Sequence, residues 1–388
     1  MIKYYIWLQN VLGAGNARTV KILKHFGDAK AVIYADNRMR IKSGLFTKKE
    51  LIRMEAVTLS ASLEIMSQCR QNGIETIYYG SKKYPVCLSV ISDAPLVIYV
   101  KGSFPDFNET PSVCIVGPRK VSEFGKKAAY SLGYRLAASG MIVVSGGAVG
   151  TDTYAHAGAL KAGGCTVLCL GCGIMNNYLP ENEKLRKAVC EKGCLISEYP
   201  PYSEPSKYTF PVRNRIMASL SLGTVVVEAG IKSGALITAR HAYEQGRDVF
   251  VIPGSPEDSK YAGSNLLLRD GARPLLDASD IFNEYIVRFP DKINIEKAFS
   301  KPILSEKDKK SEAIAQPENK EEKNLQLNLP VSLSNEAKIV YNQLDKQFFL
   351  PEEINLHEWD GQKLLSALTE LEMEFLIKAL PGGRYEKL

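Results

Sequence analysis

The sequence predicts an α/β protein: a mostly parallel sheet with helices on both faces, flanked by a small helical N-terminal domain and a small C-terminal domain. Three observations predict it. Six short β-branched or apolar runs each lead through small or glycine-rich residues into a helical segment. These runs are apolar throughout rather than alternating, as strands covered on both faces are. A stretch of almost wholly charged and polar residues then sets the C-terminal segment apart. At roughly 100–200 residues per domain, the 388 residues accommodate two or three domains.

The chain opens with the apolar Tyr4 to Leu8, followed by Leu12-Gly13-Ala14-Gly15-Asn16-Ala17 and by Val20, Ile22, Leu23 and Phe26, closed by Gly27. An apolar-Gly-x-Gly turn between two short helices resembles a helix-hairpin-helix or SAM-like module. Its glycines either bring backbone N–H groups up to a phosphate or let the two helices pack closely. The strands follow at 113–116, 142–145, 166–170, 194–197, 224–227 and 249–252. Such a sheet holds ligands at the carboxyl ends of its strands, near a switch in strand order. Residues 305–323, SEKDKKSEAIAQPENKEEK, carry too little apolar surface to fold and read as a linker. Beyond them, 337–344 and 359–371 read as helices and 375–385 as a small hairpin, an order that suggests a winged helix.

With 45% hydrophobic and 24% charged residues the chain has an ordinary globular composition. No run approaches the ~18 apolar residues of a membrane span, and the N-terminal apolar stretch is too short for a secretory signal, so a cytoplasmic protein is expected. The net charge of +6 is too mild to establish a polyanion partner by itself. Its distribution is uneven: residues 331–388 carry six Lys/Arg against ten Asp/Glu, so the positive excess belongs to the earlier part. The predicted helix at 359–371 offers only Lys363 among Asp360 and Glu370, which suits a protein partner better than DNA. Eight cysteines, several inside apolar runs, read as reduced core residues. Cys165, Cys169 and Cys172 lack paired CxxC spacing and a nearby histidine, so no metal is expected.

Four strand-end loops carry the candidate chemistry. The first, VGPRKVSEFG, offers Gly117 for close backbone approach and Arg119 and Lys120 for an anion. In the second, Ser145, Gly146 and Gly147 form a possible cradle before a helix beginning near Thr151. The third runs from Ser197 to KYTFPVRNRI, where Lys207, Arg213 and Arg215 alternate with Tyr208 and Phe210 beside Asn214. Cations for phosphates and flat rings for bases suit a single nucleic-acid strand. Arg213 and Arg215 both lie at the start of a helix, so one could instead pair with Glu198 or Glu228. The fourth loop contributes Ser233 and Gly234.

Taken together, IVGPRKVSEFG, VVSGGAVGTDTYAHAGAL, YTFPVRNRIMASLS, VVVEAGIKSGALITARHAYEQGRDVFVIPGS and NLLLRDGARPL resemble, in order and spacing, the DprA/Smf family of DNA-processing proteins over about 112–280. The resemblance implies an extended Rossmann-like domain over 76–290 with its core at 112–280. A SAM-like domain would precede it over 1–75, and a charged flexible linker (291–332) and a winged helix (333–388) would follow. It implies a homodimer, without cofactor or catalytic activity, that binds single-stranded DNA irrespective of sequence and loads the RecA recombinase in natural transformation. The family's Gly-Ser/Thr-Arg turn and Lys-x-x-Phe element carry over to Gly117, Arg119, Lys207 and Phe210. Pro118 replaces the usual Ser or Thr, removing a hydroxyl and a backbone N–H from that turn.

The alternative is a nucleotide-processing enzyme of the lysine-decarboxylase-like phosphoribohydrolase type, marked by Pro-Gly-Gly-x-Gly-Thr-x-x-Glu. The nearest segment here, Glu228-Ala229-Gly230-Ile231-Lys232-Ser233-Gly234, lacks the prolyl-diglycine and the later carboxylate. Asp152 and His156, four apart on a predicted helix, have no nucleophile or metal set beside them and read as structural.

Overall fold

The computed structural model describes residues 1–300 and, of the C-terminal segment, 333–344, 348–351, 354, 361–373, 376–380 and 384–387. Its residues cluster into two units, Met1–Lys309 and Lys310–Leu388. The expected linker core at 305–323, Trp359 and Asp360 lie outside the described residues.

The first unit is built on nine strands: β1 (Glu75–Tyr78), β2 (Val97–Gly102), β3 (Ser112–Val116), β4 (Ile142–Ser145), β5 (Thr166–Leu170), β6 (Cys194–Ser197), β7 (Gly223–Val226), β8 (Asp248–Val251) and β9 (Arg273–Pro274). They lie in the order β1-β2-β6-β5-β4-β3-β7-β8-β9. The stretch from β6 to β9 is parallel, and β2 alone runs against its neighbours. The six expected strands are all present. β1, β2 and β9 were not anticipated, because they fall outside the strand–glycine–helix repeat.

Parallel strands need helical crossovers, and these cover both faces. α8 (Glu123–Ala138), α9 (Thr151–Lys161) and α14 (Ala278–Tyr285) pack on Val113, Ile115 and Val143, whereas α11 (Thr209–Leu220) and α12 (Ala235–Glu244) pack on Cys114, Val116 and Val144. Consecutive residues of β3 thus serve opposite cores, which is why the run is apolar throughout. α10 (Glu183–Lys192) crosses from β5 to β6, and α13 (Ala262–Arg269) leads into β9.

Six helices precede the sheet: α1 (Ile2–Leu12), α2 (Thr19–Phe26), α3 (Ala29–Tyr34), α4 (Asn37–Lys42), α5 (Lys48–Ala56) and α6 (Leu59–Gln71), with the short α7 (Val86–Ser89) between β1 and β2. α1 buries Tyr5, Ile6, Trp7 and Leu8 in a core shared with Val97, Tyr99 and Leu195. The segment expected as a domain over 1–75 therefore packs within the same unit as the sheet. Of the hairpin glycines Gly15 faces inward, whereas a Cβ on Gly13 would meet nothing within 4 Å. A Cβ on Gly15 (φ +70°) would meet Val212 Cγ1 at 2.8 Å, and the Gly15 N–H donates to Glu198 Oε1 at 3.3 Å. Gly15 thus packs, against α11 and Glu198 rather than between the two hairpin helices.

Residues 291–300, expected within the linker, instead form α15 (Ile295–Phe299) against α8: Ile293 and Ala298 are buried, and the Arg135 guanidinium lies 4.2 Å from the Phe299 ring centroid. The second unit contains α16 (Asn335–Asn342), α17 (Gly361–Met373) and an antiparallel sheet of β10 (Phe348–Phe349), β11 (Ile377–Leu380) and β12 (Arg384–Lys387) in the order β10-β12-β11. Ser334 caps α16 and is bonded by Glu370 from α17. Among the described residues no helix is long and apolar enough to cross a membrane.

Candidate functional site

Strand order reverses at β3, whose partners β4 and β7 lead toward opposite edges of the sheet. A cavity of about 540 Å³ opens there, at the carboxyl ends of β3, β4, β5 and the loop after β7. Its walls hold Gly117, Arg119, Gly146, Gly147, Phe210, Arg213, Asn214, Ser233 and Gly234 from the residues singled out in the sequence.

The first loop is braced by the second. A Cβ on Gly117 would sit 2.3 Å from Thr151 Oγ1, and one on Gly150 (φ +91°) would sit 2.3 Å from the Arg119 carbonyl, so both positions demand glycine. The Pro118 carbonyl accepts from Thr151 N (3.3 Å) and Oγ1 (3.2 Å). Pro118 thus serves through its acceptor, and the missing donor is not used to hold the turn. Glu228, fully buried beyond β7, ties the loop from the other side: it accepts from the Ser122 amide and hydroxyl and from Tyr261 Oη. Ser122 in turn caps α8 through the Gly125 N–H at 3.0 Å.

On this braced turn Arg119 is exposed, with its guanidinium 6.0 Å from the Phe210 ring centroid. Phe210, near the start of α11, is half-buried and lies 5.1 Å from Tyr178, centroid to centroid, at 40°. The cavity therefore presents an exposed cation, two aromatic rings and glycine-rich backbone at one mouth. Tyr178, Arg186 and Lys232 also line it and were not singled out in the sequence. Lys232 stands beside Ser233 in the fourth loop, where a cation among glycines was a usable signal. Arg186 lies mid-helix in α10, where the local sequence offers none.

Several candidates take other roles. Arg213 Nη1 donates to the Gly146 carbonyl (2.7 Å) and the Cys169 carbonyl, and its Nε to Asn214 Oδ1 (3.1 Å). It joins the ends of β4 and β5 as well as lining the cavity. Arg215 is not in the cavity; it is 2% exposed, 2.5 Å from Glu198 Oε2 through Nη2 and 3.3 Å from Asp93 Oδ2 through Nε. Residues two apart on a helix point about 200° apart, so Arg213 and Arg215 face opposite ways. Ser145 is fully buried and its hydroxyl donates to the Ile115 carbonyl at 2.7 Å. Lys120 and Lys207 are exposed and lie outside the cavity wall; Lys207 Nζ stands 5.2 Å from its neighbour Tyr208's ring centroid.

Asp152 lines the cavity at the first turn of α9, accepting from the Ala148 N–H at 3.1 Å. Burial raises its pKa, opposed by Arg213 and by loop hydrogen bonds. His156 is separate: its Nδ1 lies 2.7 Å from Thr166 Oγ1, and burial depresses its pKa to about 3. The eight cysteines are free thiols, and burial pushes Cys169 up to about 12.

The family model for DNA recombination-mediator protein A matches residues 75–286, more than half the chain. The DNA processing protein DprA of Bacillus subtilis is 36% identical over 258 residues, spanning 64% of this chain and 87% of that protein. The chain belongs to the DprA family. The Streptococcus pneumoniae DprA is 40% identical over 202 residues, 52% of this chain and 71% of that protein. An X-ray structure of the pneumococcal DprA superimposes with a TM-score of 0.64 and 31% identity, covering 73% of this chain and 98% of that one. The Helicobacter pylori DNA processing protein A, whose structure was described with its single-stranded DNA binding mode, has a TM-score of 0.51 and 28% identity over 55% of this chain and 96% of that one. The fold seen here is thus the DprA fold.

Proposed function

We propose that the strand-end cavity binds single-stranded DNA without reading its sequence. The observation that carries this is the pairing of Arg119 with Phe210 at a mouth also lined by Lys232 and Arg186. Cations neutralise phosphates, an aromatic face accepts any base, and glycine-rich backbone admits the chain closely. The relative from H. pylori, described as binding single-stranded DNA, supports the reading. Lys207, outside the cavity, meets the strand as it leaves. Arg119, Lys207, Lys232 and Arg186 then replace the earlier set, in which Arg213 and Arg215 were counted.

The reading extends to a cytoplasmic homodimer in which two cavities engage one strand, raising the effective concentration of the second. The family's recombination-mediator description supports delivery of that strand to RecA. In the C-terminal unit, the helices with their three-stranded sheet serve as a winged helix that contacts a protein partner.

The test is fluorescence anisotropy of a labelled thymidine oligomer of about six nucleotides at several salt concentrations, with a duplex control. Four neutralised phosphates give a slope of log affinity against log salt near −3. Arg119→Ala and Lys207→Ala each make it shallower by about 0.7. No binding at low salt, or unchanged slopes in both variants, overturns the assignment.

A further inference from the structure

Beside the first cavity lies a smaller one of about 290 Å³, and Arg186 lines both. The ridge between them is the turn at Tyr178 and Leu179. Leu179 is the only non-glycine with positive φ (56°) among the described residues, a conformation that a branched side chain adopts only when its surroundings impose it. Here the surroundings are visible. Arg186 donates through Nη1 to the carbonyls of Tyr178 and Leu179 and through Nη2 to Asn177 Oδ1. Asn182 donates its backbone N–H to the Leu179 carbonyl at 3.0 Å and its side chain to the Gly147 carbonyl at 3.0 Å, tying the ridge to the second glycine loop. The result is a fixed guanidinium beneath a fixed turn, with Tyr178 held against Phe210.

The second cavity has an apolar floor of Ile174, Met175 and Leu195 and a cationic rim of Lys101, Arg186 and Lys187, with Glu183 as its one carboxylate. Glu183 is engaged by Lys187 at 2.7 Å in an exposed pair one helical turn apart, a bond that a phosphate can replace. Lys101 Nζ reaches only Met175 Sδ, at 3.6 Å, so this cation has a weak acceptor in place of a charged one. We propose that this cavity is a second nucleotide subsite for the same strand, entered over the Tyr178–Leu179 ridge, with Lys101 and Lys187 taking the next phosphates. The shared guanidinium makes the two sites one continuous track, and a polyanion that leaves the first cavity on this side meets the second. The inference rests on the single-strand reading of the first cavity and adds a direction and a length to it.

The experiment compares thymidine oligomers of about six and about ten nucleotides on wild type, Phe210→Ala and the double variant K101Q/K187Q. The double variant should bind the shorter oligomer as wild type does, while its salt slope on the longer one becomes shallower by about 1.4, two phosphates' worth. If Lys101→Gln lowers the melting temperature, K187Q alone, on an exposed helix face, should lose about 0.7. An unchanged slope on the longer oligomer overturns the subsite; if Phe210→Ala still weakens binding, the first cavity stands. Equal weakening on both oligomers also overturns it, since the lysines then act as diffuse surface charge. If wild type binds neither oligomer, both readings fall.

Discussion

The hairpin at Gly13–Gly15 and the loops at the strand ends offer the same chemistry, glycine-opened backbone N–H groups, yet only the second region is open to a ligand. In the hairpin the anion is already supplied by the chain: Glu198, at the end of β6, accepts from the Gly15 N–H and is paired with Arg215. Burial raises the Glu198 pKa, and Arg215 and the Gly15 amide oppose that shift. At the cavity, Glu228 holds the back of the first loop, and Arg119 is left facing outward. The difference lies between the Gly15 turn, closed by Glu198, and the Gly117 turn, where the carboxylate stands behind the loop and the mouth is left to Arg119.

Breaking the filled site should cost the most. Arg215→Ala leaves Glu198 buried without its partner and should destabilise the fold by about 3–5 kcal/mol, read as a shift in the urea midpoint. Arg119→Ala, on the open site, should leave that midpoint within about 0.5 kcal/mol. Equal effects of the two would erase the distinction between the regions.

His156 sharpens it through pH. Its folded-state pKa near 3 lies below the ordinary value near 6.5, so between these values the unfolded chain binds a proton that the folded chain refuses. Its contribution is complete above pH 6.5 and is lost as pH falls, at about 1.4 kcal/mol per unit. His156→Asn should flatten the stability profile between pH 6 and 4; an unchanged slope would assign acid sensitivity elsewhere. Next in size, Phe210→Ala should cost about 1–3 kcal/mol of strand affinity in the anisotropy assay. The smallest effect is the change of about 0.7 in salt slope on losing Arg119, expected with no change in pH dependence.

Much of the sheet was legible because β3 to β8 repeat one pattern, an apolar run, small residues, a helix. β2 carries an equally apolar run, Val97 to Val100, but no glycine loop and crossover helix follow it, so it gave no place in the repeat. β9 is two residues long and reads as loop. For the site, glycine loops and the Arg119 and Phe210 motifs were visible, since close approach and ring stacking restrict residue type. The orientation of the cations was read in part: the alternative that one of Arg213 and Arg215 pairs with Glu198 is what Arg215 does, and two residues apart on α11 they cannot face one cavity. Arg186 and Tyr178 depend on a turn whose geometry is imposed from three other segments, and no local pattern announces it.

The docking of the hairpin also sets an order of events during synthesis. Gln9 bonds the Val97 backbone, 88 residues on, and the Glu198 carbonyl, and Gly15 bonds the Glu198 side chain, the last two pairs being separated by 189 and 183 residues along the chain. At about 5–20 residues per second a ribosome needs roughly 10–40 s to supply them. Before β6 emerges the first helix already has α3, α5 and α6 to pack on, and Trp7 Nε1 has the Val57 carbonyl to donate to; what waits for β6 is Leu195 and the bonds to Glu198. These helices are made before β6, and their last bonds, to Glu198, are the ones that close late.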